Sequence, residues 1–283
     1  MAIETVSVIG SGTMGRGITQ AAALAGHRVL LFDLTAELVG RAREAIVHSI
    51  DEGERRGKTA AATAEWAKES LVPTTDLAQA AQVDLVIEAV VEDLAVKRDL
   101  FGRLDAAAPP HTILASNTSS LSISAIAAAT GRPDRVLGLH YFNPAHLMQL
   151  VEVIRGDLTG DETVTAARAF VQSLGKTAVV CIDSPAFIVN RVARPFYGEA
   201  FRLLGERAAD PQTIDRLITS LGFRMGPFAL LDLIGLDVNL AVTQSVYDAY
   251  FQEPRYRPHP IQRRMVDSGR LGRKSGRGFY DYE

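Results

Sequence analysis

Val6-Ser-Val-Ile9 runs into Gly10-Ser11-Gly12-Thr13-Met14-Gly15, then an alanine-rich stretch to Gly26, then Arg28–Phe32, and stops on Asp33. A strand, a glycine triplet, a helix and a second strand closing on an acid, in that order, constrain the chain to a right-handed βαβ unit built to hold a dinucleotide. Each glycine has a separate duty: Gly10 allows the tight turn, Gly12 lets backbone approach a pyrophosphate, and Gly15 lets helix pack on strand. Ser11, Thr13 and Met14 complete the turn, and the helix that follows turns its partial positive charge and free N–H groups toward the phosphates. Asp33 stands 18 residues beyond Gly15, where a carboxylate accepts hydrogen bonds from ribose hydroxyls and repels a 2′-phosphate. Leu34 offers no arginine in compensation, so NAD is favoured over NADP. FAD shares this fingerprint.

Beyond the triplet, apolar β-branched runs alternate with longer amphipathic stretches, the pattern of a parallel sheet with crossover helices. Strands are expected at Val6–Ile9, Arg28–Phe32, Leu85–Ala89, Ile113–Ser116, Val136–Tyr141, Leu150–Ile154 and Ala178–Ile182. After Ser184-Pro185 the strand signal stops, and Phe187–Arg207, Asp210–Leu221, Gly235–Phe251 and Ile261–Ser268 read as helices. Asp210-Pro211 supplies an N-cap and a first-turn proline to one of them. The expected fold class is α/β: an N-terminal Rossmann-type doubly wound sheet over residues 1–183, followed by an all-α C-terminal domain over 184–283.

Composition narrows the function. A formal net charge of −3 in 283 residues argues against a nucleic-acid binder, so the basic stretch Arg255–Arg277, with eight Lys/Arg against one Asp, reads as an ion-paired tail or subunit contact. No apolar run approaches the roughly 20 residues that span a bilayer, and no targeting pattern opens the chain. The one cysteine, Cys181, has no disulfide partner, which fits a reducing cytoplasm. Neither Cys/His spacing nor clustered carboxylates point to a metal. A small-molecule partner is expected.

Three segments sit oddly as mere core: Ser116-Asn-Thr-Ser-Ser120, Gly138-Leu-His-Tyr-Phe-Asn-Pro144, and Leu150-Val-Glu-Val153. With Glu88-Ala-Val-Val-Glu92, Phe187-Ile-Val-Asn-Arg191, Gly226-Pro-Phe228, Asp232-Leu-Ile-Gly-Leu-Asp237 and the closing Gly-Arg-Lys-Ser-Gly-Arg-Gly-Phe-Tyr280, the chain resembles the 3-hydroxyacyl-CoA dehydrogenase family along nearly its whole length. The resemblance implies NAD-dependent oxidation of a 3-hydroxyacyl thioester of coenzyme A, either short-chain as in 3-hydroxybutyryl-CoA or dicarboxylic as in 3-hydroxyadipyl-CoA. It also implies His140 as general base and Glu152 as its partner.

The residue chemistry agrees. Histidine takes and returns a proton near neutral pH, and Glu152 interrupts an apolar strand where an unpaired carboxylate is costly. By the same resemblance Ser119 and Asn190 hydrogen-bond the substrate oxygens, Asn117 lies toward the nicotinamide, Glu92 and Lys97 contact NAD, and Ser49 and Arg56 contact CoA. Other readings stay open: the Ser/Asn/Thr loop as a helix cap, Glu92 and Lys97 as solvated surface, and Ser49 and Arg56 as an exposed helix face. Arg194, four residues after Asn190, is a candidate grip for a carboxylate at the end of the acyl chain, with Arg224 a second; an ordinary ion pair at an interface is the alternative. The family implies a homodimer through the helical domain. Two rival functions are a relative oxidising a free hydroxy acid and a catalytically silent NAD-binding protein.

Overall fold

The computed structural model describes residues 2–282 and divides into two compact units, Met1–Ser184 and Pro185–Glu283.

In the first unit eight strands form one sheet in the order β3-β2-β1-β4-β5-β6-β7-β8. They are β1 (Thr5–Ile9), β2 (Arg28–Phe32), β3 (Leu71–Thr74), β4 (Leu85–Glu88), β5 (Ile113–Ser116), β6 (Val136–Tyr141), β7 (Leu150–Arg155) and β8 (Thr177–Ile182). The strand order reverses between β2-β1 and β1-β4, which opens a crevice at the carboxyl ends of β1 and β4. Helices α1 (Thr13–Leu24), α2 (Ala36–Arg55), α3 (Ala61–Glu69), α4 (Leu77–Ala80), α5 (Leu94–Ala107), α6 (Ile123–Ala127) and α7 (Asp161–Ser173) accompany the sheet. The apolar face of α2, Val39, Ala42, Ile46 and Ile50, recurs every three or four residues and packs into the same core as Ile18 and Ala22 of α1 and Val6, Val29 and Leu85 of the strands.

Two features depart from the sequence reading. The sheet is not parallel throughout, because β6 and β7 pair antiparallel. Only residues 142–149 join them, too short a link for the crossover of a dozen or more residues that parallel neighbours require. Strand β3 is additional. Its Pro73 argues against a strand in the sheet interior, but β3 is the edge strand, where one missing donor costs no ladder bond.

The second unit holds α8 (Val189–Gly205), α9 (Pro211–Ser220), α10 (Pro227–Ile234), α11 (Leu236–Ala249) and α12 (Pro260–Asp267). Asp210 caps α9 through Thr213 N at 2.8 Å, as Asp210-Pro211 leads one to expect. Positive φ angles at Ala186 and Phe187, 68° and 51°, delay the start of α8 to Val189. The eight-residue α10 was not expected; it is apolar nearly all round and so has no amphipathic period to betray it. Its N-cap is Gly226, which has no side chain to accept the first N–H groups, and Asp215 of α9 accepts them instead, from Phe228 N at 2.9 Å and Ala229 N at 2.8 Å. A core of Tyr197, Phe201, Ile214, Phe228 and Leu231 is completed by Phe279 and Tyr280 of the C-terminal segment. Asp232 fixes that segment, accepting Phe279 N, Tyr280 N and Tyr282 OH, each at 3.0 Å. Among the described residues no single helix is long and apolar enough to cross a membrane, and no group of three His, Cys, Asp or Glu is placed to hold a metal ion.

Candidate active site

The glycine turn leaves β1 at the crevice and fits a dinucleotide closely. Gly10 has φ +105°, and a Cβ there would lie 2.6 Å from Ala89 O; a Cβ at Gly15 would lie 1.8 Å from Gly10 O. A Cβ at Gly12 would meet nothing within 4 Å, so this backbone borders open space, as a pyrophosphate cradle must. No side chain caps α1, and no acid stands in its first turn, leaving its first N–H groups for an anionic ligand.

Asp33 closes β2 beside that turn. Its Oδ2 accepts Ser11 N at 2.8 Å and Ser11 Oγ at 2.5 Å, and its Oδ1 accepts Leu34 N at 2.7 Å. Burial alone would raise this carboxyl, but the Ser11 and Leu34 hydrogen bonds outweigh it and hold the group below the usual carboxylate range. Asp33 therefore orders the glycine turn, holding Ser11 by both its main chain and its hydroxyl. Leu34 is 79% exposed and presents no cation for a 2′-phosphate.

At the carboxyl ends of β4 and β5 lies a buried charge cluster. Lys97, on α5, is 1% exposed; its Nζ lies 2.5 Å from Oε1 of Glu88, which is fully buried, and 3.2 Å from Glu92 Oε2. Glu88 also accepts Val90 N at 2.7 Å and Ser116 Oγ at 2.6 Å. Glu92 accepts Thr118 Oγ1 at 2.5 Å and Ser119 N at 3.0 Å. Desolvation raises the Glu92 carboxyl, but Lys97 and then the Thr118 and Ser119 donors prevail and hold it low. Lys97 is thus neither a surface lysine nor open to a ligand: its charge is spent on two glutamates, one of which grips the 118–120 loop. Glu88 carried no role in the sequence reading, although a carboxylate ending the apolar run Leu85-Val-Ile is the same signal as Glu152. Asn117 ties the loop to β6, accepting Tyr141 N on its Oδ1 at 2.9 Å.

His140 and Glu152 face each other across the antiparallel β6–β7 pair. Nδ1 of His140 lies 2.6 Å from Glu152 Oε2, and the residues are 5% and 1% exposed. The imidazole also packs on Phe142, ring centroids 4.5 Å apart. The register brings together two polar residues twelve apart in sequence without help from any loop.

Other expected residues are placed less tellingly. Ser49 is half-buried on α2, and Arg56, at the C-cap of that helix, is exposed and ion-paired with Glu52. Asn190 lies in the first turn of α8. Arg194 does not present a free guanidinium. It is 5% exposed, with Nε donating to Asn190 O at 3.2 Å and Nη1 to Asn239 O at 3.1 Å and Thr243 Oγ1 at 2.8 Å. Burial pushes its pKa down to about 10. Neither the carboxylate grip nor an interface ion pair describes it; Arg194 ties α8 to α11 within the helical unit. Arg224 is exposed.

Comparison with known proteins agrees with this geometry. Residues 5–184 match the 3-hydroxyacyl-CoA dehydrogenase NAD binding domain, and residues 187–282 match the C-terminal domain of the same family. The chain is 50% identical over 281 residues to the 3-hydroxyadipyl-CoA dehydrogenase of Escherichia coli K12, covering 99% of this chain but 59% of that protein's length. It is 42% identical to a probable 3-hydroxybutyryl-CoA dehydrogenase of Bacillus subtilis, covering 100% of this chain and 99% of that one. The solved (S)-3-hydroxybutyryl-CoA dehydrogenase from Ralstonia eutropha superposes with a TM-score of 0.95 at 40% identity, each chain covered in full. The two matched domains together span residues 5–282, and the chain belongs to the 3-hydroxyacyl-CoA dehydrogenase family.

Proposed function

We propose that this chain oxidises a (3S)-3-hydroxyacyl-CoA to the 3-oxoacyl-CoA with NAD, and that His140 and Glu152 move the proton. The observation that carries this is the buried 2.6 Å contact between His140 Nδ1 and Glu152 Oε2. Bound NAD supplies the hydride acceptor at C4 of its nicotinamide ring. The protein's own work is to hold that cofactor and to manage the C3 hydroxyl proton. The Gly10–Gly15 turn and α1 take the pyrophosphate, Asp33 takes the adenosine ribose, and Lys97 positions Glu92 and, through it, the Asn117–Ser119 loop. With Nδ1 held by Glu152, the imidazole is fixed in the tautomer whose Nε2 is free of a proton and accepts the one from the C3 hydroxyl. The carboxylate then stabilises the imidazolium, and the low exposure of both residues keeps water from screening it. Ser119 and Asn190 are assigned to the substrate oxygens, and Ser49 and Arg56 to CoA, on the family resemblance. Residues 1–183 serve as the NAD domain and 184–283 as the substrate and dimerisation domain in this reading.

His140→Gln should lower kcat at least about a hundredfold, the contribution of a positioned acid/base group, with NAD affinity unchanged. Glu152→Gln should act in the same direction. Wild-type turnover in either variant with saturating thioester removes the pair from the mechanism.

We also infer a homodimer formed through the helical unit, supported by apolar side chains it leaves exposed: Leu217 at 60%, Leu221 at 74% and Phe223 at 53%. Leu217→Glu with Leu221→Glu should run as a monomer in analytical ultracentrifugation where wild type runs at twice that mass. A wild-type monomer removes this inference.

A further inference from the structure

A cavity of about 280 Å³ lies in the first unit between α1, α2 and the β6–β7 connection. Arg16 and Gln20 reach it from α1, Ser49 from α2, and Asn143 and His146 from the connection. A Cβ on Gly17 would sit 3.0 Å from Ala145 Cβ, so α1 lies directly against the connection on one side of the cavity.

The charges on this wall are one-sided. Arg16 is half-buried and, among the described residues, makes no ion pair and no side-chain hydrogen bond. Among the described residues no aspartate or glutamate lines the cavity. Burial, and after it the charge of Lys176, holds His146 below the usual histidine value, so the imidazole brings no charge of its own at neutral pH. Lys176, whose charge acts on His146, donates to Met148 O at 2.7 Å. A guanidinium in a walled pocket, with hydroxyl and amide groups around it and no counter-ion, suits an anion. Ser49 and Arg56 are seven residues apart and so lie on one face of α2, which extends the polar track from the cavity along the helix.

We propose that Arg16 binds an anionic group of the acyl-CoA substrate in this cavity and sets affinity for it. The inference rests on the acyl-CoA dehydrogenase reading above. The anion is either a phosphate of the CoA moiety or a carboxylate at the far end of a dicarboxylic acyl chain, and both meet the guanidinium through the same paired N–H···O bonds.

The test compares wild type, Arg16→Met and Arg16→Lys on three substrates: 3-hydroxybutyryl-CoA, 3-hydroxyadipyl-CoA and the phosphate-free 3-hydroxybutyryl-pantetheine thioester. NAD dissociation constants and thermal midpoints are measured alongside. Arg16→Met should raise KM about 10- to 100-fold, the range for a lost charge-assisted hydrogen bond, with kcat, NAD affinity and midpoint near wild type. Arg16→Lys should recover part of the loss. A rise with both CoA thioesters but not with the pantetheine thioester assigns the anion to CoA phosphate. A rise with the adipyl substrate alone assigns it to the terminal carboxylate. Unchanged KM on all three, or weakened NAD with unchanged thioester KM, overturns the proposal while an active wild type leaves the dehydrogenase reading standing. A wild type that forms no NADH from any thioester overturns that reading and this one with it.

Discussion

Replacing Lys97 by methionine separates two descriptions of the same residue by their energies. A surface lysine changed in this way shifts stability by no more than about 0.5 kcal/mol. In the structure, however, Lys97 is, among the described residues, the only cation paired with the fully buried Glu88: it meets Glu88 Oε1 at 2.5 Å and Glu92 Oε2 at 3.2 Å, and its side chain is 1% exposed. Methionine fills nearly the same volume, so the loss is electrostatic rather than a cavity. Glu88 would keep two neutral donors, Val90 N and Ser116 Oγ, but no counter-charge. Breaking a buried pair by removing one partner costs about 3–5 kcal/mol. For the NAD-binding unit that corresponds to a midpoint lower by roughly 6–20 °C, at about 2–4 °C per kcal/mol for a domain of its size. Calorimetry on Lys97→Met should show it, and Lys97→Met with Glu88→Leu should recover most of it, because an apolar pair in place of a buried ion pair is near neutral. A single-variant loss below about 1 kcal/mol, or a double variant worse than the single, would refute the buried-pair account.

The glycine turn offers a contrast: Gly15→Ala should unfold or strongly destabilise the first unit, since its Cβ would meet Gly10 O at 1.8 Å, whereas Gly12→Ala should leave the thermal midpoint intact and weaken NAD binding, because its Cβ fills open space. Asp33→Ala should narrow the preference for NAD over NADP mainly by weakening NAD; equal kcat/KM for both cofactors in wild type would dismiss the ribose contact. Since hydrogen bonds hold the folded Asp33 carboxyl below its unfolded value, its contribution to stability is complete above the ordinary carboxylate range and is lost as pH falls through the depressed value. Asp33→Asn should therefore lose less stability than wild type between neutral pH and about pH 3 in urea titrations. Burial first, then the Glu152 and Asp183 carboxylates, push the Cys181 thiol up to about 12, so its alkylation by iodoacetamide at pH 8 should be far slower than that of the unfolded chain, and equal rates would contradict the placement.

The nucleotide half of the site was legible because each of its requirements is local. A tight turn, a close approach and a strand-end acid are each met within Val6–Asp33, and sequence spacing alone brings them together. The His140–Glu152 pair was legible for a different reason: a carboxylate in an apolar strand demands a partner. The antiparallel register that supplies the partner was missed, although eight connecting residues exclude a crossover. Lys97 was ambiguous because burial of a helix face depends on what covers it, here β4 and the loop after β5. Arg194 misled for the same reason. Four-residue spacing places it near Asn190, but only the fold shows that Asn239 and Thr243 occupy its guanidinium. Arg16 directly follows the glycine motif, and only the fold shows that its face of α1 opens to the cavity.

The turn-back of β6 into β7 divides the chain into a part that can drift and a part that cannot. His140 and Glu152 are held by main-chain pairing between strands buried on both sides, and a slip of one residue would turn either to the opposite face of the sheet. Residues 142–149 lie outside that ladder, yet Asn143 through His146 form part of the wall around Arg16. Descendants can therefore exchange residues 143–149, and with them the shape of the pocket, while keeping the His140–Glu152 contact and the Phe142 ring packed on it. For recombination between relatives the strands and Phe142 must travel together, and the seven residues 143–149 are the natural cassette.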